Sequence, residues 1–328
     1  MKTERNDFDP KAYHPTFQWG FLAPKYWGTW IGIILFLPLS ILPFNVQKWL
    51  AAVLSSRLAK SQTGPAHRAR VNFALCFPEK SFEERELLIK KTLFTAAIFF
   101  IRFPLLTLRS KKWLASQCRV NGLSFLNEYR DKGQNVILMV PHYWAIDVPP
   151  VFLASKGIPI TAMVKKQKNE LTDWLMHKQR VQYGGRIYER STGIKPFLKS
   201  IRENYIGHYS PDQDYGPEQS VFVDFFATRK ATLPGIGKLA HLSRAKVLPM
   251  FTSMNTEDGT FDIEILPAIE LNKGEEHDAR ICNQAIEFFV ESKPEQYMWI
   301  LQLLHSQEDG NNYYNLFKSR YNSDWKVQ

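Results

Sequence analysis

Asn135-Val136-Ile137-Leu138-Met139-Val140-Pro141-His142-Tyr143-Trp144-Ala145-Ile146-Asp147 is the stretch from which the rest of this 328-residue chain can be read. An apolar, strand-like run ends at Pro141, and a histidine and an aspartate follow five positions apart. An α/β fold places catalytic groups just past the carboxyl ends of its strands. With Asp147 one turn into the following helix, its carboxylate is expected to face His142 and fix the imidazole tautomer. The ring is then free to take a proton from a hydroxyl. A structural His–Asp pair at a helix cap is the alternative reading. None of the other seven histidines has an acid five residues later, and only His142 follows a β-type run.

Outward from this point the chain alternates. Strand-like segments fall near 136–140, 159–164, 206–210, 220–226, 246–252 and 261–266, and helical periodicity near 144–155, 170–182, 194–204, 232–242 and 276–292. That order predicts an α/β fold with a largely parallel central sheet flanked by helices. Upstream, 46–60 and 81–108 read as helices, the second carrying the apolar run Leu93 to Ile101, which is too short to cross a bilayer and reads as a core helix. No internal repeat or low-complexity linker interrupts the chain. The expected organisation is an N-terminal tail and membrane-anchoring helix over 1–60 and a single catalytic domain over 61–328. The polar ends, 1–9 and 306–328, are expected to be loosely ordered.

The anchor rests on 22 residues without a charge, Tyr26 to Gln47, around the apolar centre Trp30 to Leu37. About 20 residues suffice to span a bilayer. Pro38 and Pro43 would also allow a re-entrant or interfacial helix, and Tyr26, Trp27, Trp30 and Trp49 suit a headgroup boundary. Acidic Glu4, Asp7 and Asp9 precede the run, which disfavours a cleaved signal peptide. Lys48, Arg57, Lys60, Arg68 and Arg70 follow with no acid before Glu79, which by the positive-inside rule puts the bulk of the chain in the cytoplasm. Cys76, Cys118 and Cys282 are odd in number and widely spaced, as in a reducing compartment without a metal site.

The net charge of +10 is concentrated: between Lys156 and Arg202 stand 11 Lys/Arg against Glu170, Asp173 and Glu189. Such a patch attracts polyanions, whether nucleic acid, anionic headgroups or an acidic carrier protein, unless it is a plain solvated face. Nucleic acid is disfavoured by the absence of zinc-finger, RNP-like or helix-turn-helix patterns. Within the patch, Arg180 and Arg186 flank Gly184-Gly185, a pairing that suits close approach to a phosphate or carboxylate, or equally a glycine helix cap. Pro211-Asp212-Gln213-Asp214 follows a strand and reads as a turn with Asx-type hydrogen bonds bordering a polar substrate rather than a metal site. Val221 to Thr228 and Ala231 to Gly235 are aromatic and apolar enough to line an acyl groove or to fill the core. There is no G-x-S-x-G elbow, P-loop, dinucleotide fingerprint or His-Glu-x-x-His helix, so no cofactor or metal is expected. What remains is a base without a protein nucleophile, which suits a reaction in which the substrate's own hydroxyl attacks.

Taken together these motifs resemble the late acyltransferases of lipid A biosynthesis over nearly the whole chain. The resemblance is carried by Lys25 to Trp30, Asn72 to Glu79, His142 with Asp147, Gly184-Gly185, Pro211 to Asp214, Phe225-Phe226 and Pro294 to Trp299. Phe225-Phe226-Ala227-Thr228 and Lys230-Ala231-Thr232-Leu233-Pro234 look more like the myristoyl-transferring branch than the lauroyl-transferring one, which typically has Gly after the paired Phe. The glycerophospholipid acyltransferases share the His-x4-Asp core, but their Glu-Gly-Thr-Arg block is missing.

The resemblance implies transfer of a fatty acyl group from acyl-acyl carrier protein to the hydroxyl of a hydroxyacyl chain on a Kdo2-lipid IVA-type acceptor, at the cytoplasmic face of the inner membrane. His142 would be the base and Asp147 its orienting partner, with Arg180 or backbone N–H groups after Pro141 at the oxyanion. Arg180, Gly184, Gly185, Arg186, Asp212, Gln213, Asp214 and Thr232 would border the substrates. The basic stretch, with Lys165, Lys166, Lys168 and Arg190, would meet the anionic acceptor and the acidic carrier protein. A thioesterase, and a non-catalytic membrane-anchored binder of anionic lipid, are the competing readings.

Overall fold

The computed structural model describes residues 9–316 apart from 272. Of the polar ends, residues 1–8 and 317–328 lie outside the described residues; Asp9 and 306–316 are not loose but held to the domain, with Asp9 bonded to Tyr188, Ser306 to Asp214 and Tyr314 to Asn72. The chain opens with a helical layer: α1 (Trp27–Ile41), α2 (Phe44–Ala59), α3 (Gly64–Cys76), α4 (Phe82–Arg102), α5 (Leu105–Leu108) and α6 (Lys111–Gln117). Strand and helix then alternate as β1 (Cys118–Asn121), α7 (Leu123–Asp131), β2 (Asn135–Met139), α8 (Val148–Ser155), β3 (Ile160–Val164), α9 (Glu170–Arg180), β4 (Arg186–Glu189), α10 (Lys195–Arg202) and β5 (Ile206–Tyr209). A hairpin of β6 (Val221–Phe225) and β7 (Thr228–Thr232) precedes α11 (Gly235–Ser243), β8 (Ala245–Met254), β9 (Phe261–Ile265), α12 (Glu275–Ser292) and α13 (Tyr313–Leu316).

Seven strands form one sheet in the order β1-β9-β8-β2-β5-β3-β4. β8, β2, β5, β3 and β4 run parallel, while β9 pairs antiparallel with β8 and carries β1 parallel to itself. The protein is therefore α/β with a largely parallel sheet, as its alternating pattern predicts. β2 lies centrally, Val136 to Val140 all being fully buried, because the sheet is covered on both faces. One face packs on Ile137, Met139, Phe197 and Ile286, the other on Val136, Leu138, Trp144 and Val151.

Two expectations need correction. The segment 220–226 does not join the sheet; it closes on β7 through the two-residue turn Phe226-Ala227, with Phe226 held at φ 51°. Nor is the uncharged stretch 26–47 one helix. α1 has 15 residues, about 22 Å of rise, against a hydrocarbon core of about 30 Å. The chain breaks at Leu42-Pro43, where proline disfavours helical geometry in the residue before it, and α2 turns back along α4. Gln47, fully buried, closes this corner by donating to Leu39 O, Ser40 O and Leu42 O. Among the described residues one helical stretch, Phe82–Leu108, is long and apolar enough to cross a membrane by length and composition, and more than half of its apolar window is buried within the protein. A capping box of Ser81 and Glu84 starts α4.

The α1–α2 layer leaves large apolar side chains uncovered: Trp27, Ile31, Ile34, Leu35, Ile41 and Trp49, with Ile34 and Trp49 both 64% exposed. Its base is fastened to the domain beside the end of β3. Tyr26 Oη donates to Glu170 Oε2 at 2.6 Å, and Asn169 Nδ2 donates to Thr29 Oγ1 at 2.8 Å.

Candidate functional site

His142 lies three residues beyond the last residue of β2, and Asp212 three beyond that of β5, its neighbour in the sheet. The ladder between the two strands continues through Val140 N–H, which donates to Tyr209 O at 2.8 Å. Two loops that leave the same sheet edge side by side thus carry an imidazole and a carboxylate into contact. His142 Nδ1 is 2.7 Å from Asp212 Oδ1, and the backbone N–H of His142 donates to Asp212 Oδ2, also at 2.7 Å. Tyr297 Oη adds a second donor to Oδ2 at 2.9 Å.

Asp212 is fully buried, a condition that alone would push its carboxyl pKa up. The facing imidazole, the ring and backbone hydrogen bonds of His142 and the buried Lys230 of β7 outweigh burial and hold it below the usual carboxylate range. An ionised Asp212 can only accept, so Nδ1 carries the proton and Nε2 presents its lone pair. Burial would by itself lower the His142 pKa; Asp212, with Asp147 further off, raises it above the ordinary histidine value. The side chain of His142 remains 21% exposed. Such an imidazole can accept a proton from a hydroxyl brought to Nε2.

The expected partner of His142 is elsewhere. Asp147, at the N-terminus of α8, receives Arg180 Nε on Oδ1 at 2.7 Å and Nη2 on Oδ2 at 3.1 Å, a two-pronged pair that occupies both carboxylate oxygens. The four-residue turn after Tyr143 aims Asp147 at the end of α9 instead of at the ring. The correction has a clear cause: a guanidinium fork satisfies a carboxylate more completely than one imidazole N–H, and Asp212 already fills the Nδ1 position. Asp147 still acts on His142 through its charge.

The remaining expected residues divide by position. Gln213 Nε2 sits 3.1 Å from His142 Nε2. Asp214 anchors the same loop, accepting from Ser306 N–H at 2.6 Å, Ser306 Oγ at 2.8 Å and Gly216 N–H at 3.0 Å. Arg186 is not in this group. It opens β4 level with Thr161 of β3, at the amino end of the strands, and its buried guanidinium pairs with Glu203 and stacks on Tyr205 at 4.3 Å. Gly184 and Gly185, at φ 96° and 124°, form the turn into that same end; a Cβ at Gly185 would stand 2.9 Å from Ile160 O. Their glycine requirement is therefore a matter of backbone path. Thr232 is buried on β7 and shares hydrogen bonds with Asn283 of α12. Lys165, Lys166 and Lys168 stand exposed at the carboxyl end of β3, and Arg190 at that of β4.

Two residues have no role in the sequence reading, although Tyr297 lies in the quoted motif 294–299. His208, on β5, is surrounded by Asp147, Arg180 and His142, and burial pushes its pKa down to about 4, so it stays neutral beside the raised His142. Tyr297 belongs to the segment 294–299, which forms the floor of the site: Met298 N–H donates to His142 O, Trp144 N–H to Gln296 O, and Asn72 Nδ2 to Trp299 O. No spacing connects these residues to His142. A surface groove of about 590 Å³ bordered by Phe77, Leu87, Leu88, Phe226 and Val290 lies by the β6–β7 turn and does not include His142.

The motifs quoted from the sequence, Asn72, His142, 211–214 and 294–299, thus converge on one place. Residues 14–306 match the family described as bacterial lipid A biosynthesis acyltransferase. The chain is 42% identical over 304 residues to a lipid A biosynthesis acyltransferase of Haemophilus influenzae, covering 93% of this chain and 96% of the relative. It is 38% identical over 315 residues to the lipid A biosynthesis myristoyltransferase of Escherichia coli, at 94% and 96% coverage. To the lauroyltransferase of the same organism it is 26% identical over 303 residues, at 90% and 97%. This chain belongs to the bacterial lipid A biosynthesis acyltransferase family and is an acyltransferase.

Proposed function

We propose that the protein transfers a myristoyl chain from acyl-acyl carrier protein to the hydroxyl of a hydroxyacyl chain on a Kdo2-lipid IVA-type acceptor. The observation that carries this reading is the His142–Asp212 pair, which presents a basic Nε2 at the carboxyl edge of the sheet, where among the described residues its side-chain hydrogen-bond partner is the amide of Gln213 and not a nucleophile. His142 takes the proton of the acceptor hydroxyl, whose oxygen attacks the thioester carbonyl. Asp212 holds the tautomer and stabilises the imidazolium. Collapse of the tetrahedral adduct expels the carrier thiolate, which recovers the proton from His142. The myristoyl donor is favoured by identity, 38% to a myristoyltransferase against 26% to a lauroyltransferase.

The exposed cations Lys165, Lys166 and Lys168 serve the anionic acceptor and the acidic carrier. Residues 1–60 anchor a catalytic unit of 61–328 to the inner membrane from the cytoplasmic side. The helices α1 and α2 lie in one leaflet, because α1 is too short to span and the chain reverses after it. Mass spectrometry of lipid A from cells with and without the gene tests the reaction. Loss of one myristoyl mass is expected; loss of a lauroyl mass would reassign the donor, and an unchanged lipid A profile would reject the reading.

A further inference from the structure

The hydrogen bonds around His142 continue beyond the ring, and their direction is fixed. In the neutral ring, the form that acts as base, Asp212 takes the Nδ1 proton and Nε2 accepts, so the atom of Gln213 at 3.1 Å is its amide N–H2. The amide oxygen of Gln213 then faces Tyr215, whose Oη donates to it at 2.7 Å. Tyr215 Oη in turn accepts from Arg190 Nη1 at 2.7 Å, and the guanidinium lies 4.3 Å from the centre of the Tyr215 ring. Gln213 stands between two residues that are tied down, Asp212 to His142 and Asp214 to Ser306. Its amide is therefore held over the lone pair that the reaction needs.

A neutral, partly exposed imidazole would otherwise bind water, and a water on Nε2 is the nucleophile of thioester hydrolysis. We propose that Gln213, oriented by Tyr215 and Arg190, caps the His142 lone pair against water and so decides whether an acyl donor is transferred to lipid or lost by hydrolysis. The inference rests on the acyl-transfer reading above. Both outcomes break the thioester C–S bond and return a proton to the departing thiolate through His142. They differ only in whether the new C–O bond is made to the acceptor's oxygen or to water's.

The cap discriminates because the two nucleophiles arrive differently. Water that displaces Gln213 exchanges one hydrogen bond to Nε2 for another and brings no further binding energy. The lipid acceptor brings binding energy from the rest of its structure, which offsets the displacement. Arg190 supplies a release: it is exposed, it forms no ion pair among the described residues, and it lies on the same carboxyl side of the sheet as Lys165, Lys166 and Lys168. An anionic group of the acceptor that draws Arg190 off Tyr215 loosens the hold on Gln213 only when acceptor is present.

The test is to incubate the full chain with acyl-acyl carrier protein, with and without the lipid acceptor, and to measure acylated lipid and free fatty acid. In Gln213→Ala the ratio of free acid to acylated lipid should rise about tenfold, the equivalent of one hydrogen bond. Tyr215→Phe, which removes one hydroxyl from a half-buried ring, should shift it in the same direction by a smaller factor. His142→Ala should abolish both products. An unchanged ratio in both the Gln213 and Tyr215 variants, whatever the loss of total turnover, overturns the cap. Retention of acyl transfer by His142→Ala would instead overturn the reading of the base, so the two failures are told apart.

Discussion

Asp212 holds His142 at two points, through the ring Nδ1 at 2.7 Å and through the backbone N–H at 2.7 Å. The second bond fixes the loop and the first fixes the tautomer, so the carboxylate sets where the imidazole is and which nitrogen is basic. Replacing Asp212 by Asn keeps the shape and removes the charge. Transfer should fall by about 10² to 10⁴ in kcat, with little change in the KM of either substrate. Steady-state kinetics on folded variant, with circular dichroism as control, checks this; a loss confined to KM would assign Asp212 to substrate binding instead.

The pH dependence follows from the same pair. A general base must be neutral, so kcat/KM falls as His142 protonates. Because Asp212 raises the His142 pKa above 6.5, the acid limb of kcat/KM should have its midpoint above that value, and activity should still be rising at pH 7. In Asp212→Asn the raising charge is gone and the limb should move to lower pH. The stability linkage of His142 has the matching sign: its contribution is fully present below the unfolded value of 6.5 and is lost as pH rises through the folded one, whereas that of Asp212, whose pKa is lowered, is lost as pH falls through its own folded value. A wild-type limb centred at or below 6.5 would contradict the geometry.

Asp147 and Arg180 should behave as one unit. Each is less than a quarter exposed, and removing either strands the other's charge. Asp147→Ala and Arg180→Ala should each cost about 1–3 kcal/mol in stability, and the double variant should cost less than their sum. Thermal or urea unfolding of the four proteins in the cycle measures the coupling. Additive losses would mean that the two-pronged pair has no net worth in solution.

Arg186 offers the contrast within the basic stretch. Its pairing with Glu203 and stacking on Tyr205 lie at the amino end of the strands. Arg186→Ala is expected to lower the melting temperature while leaving kcat within about twofold at permissive temperature. A large kinetic defect without a stability defect would return this residue to the substrate path.

The proposed anchoring role of the α1–α2 layer makes a topological prediction. If α1 and α2 lie in one leaflet, Lys25 and Lys60, which flank them, face the same compartment. Cysteines introduced at the two positions should both be labelled by an impermeant maleimide in inside-out vesicles and neither in intact cells with a permeable outer membrane. Labelling from opposite sides would require a spanning helix.

What the sequence determined was the layering of this protein. The apolar run 136–140 with its neighbours at 159–164, 206–210 and 246–252 is an alternating pattern that a mostly parallel sheet buries, and the histidine after Pro141 marked the edge that carries the candidate site. Burial and periodicity are local properties, so they can be read locally. The tertiary structure alone decided the partners. Asp147, five residues away, was the obvious candidate for His142, yet the ring is held by Asp212, 70 residues on, because β5 lies next to β2 and the loops that follow both strands leave the same edge. Likewise, the basic stretch read as one patch is split by the length of β4: Arg186 is spent on a structural pair at one end of the strand, and Arg190 reaches the site at the other. Charge and spacing say what a side chain is able to do, but strand order sets which group stands within 3 Å of it.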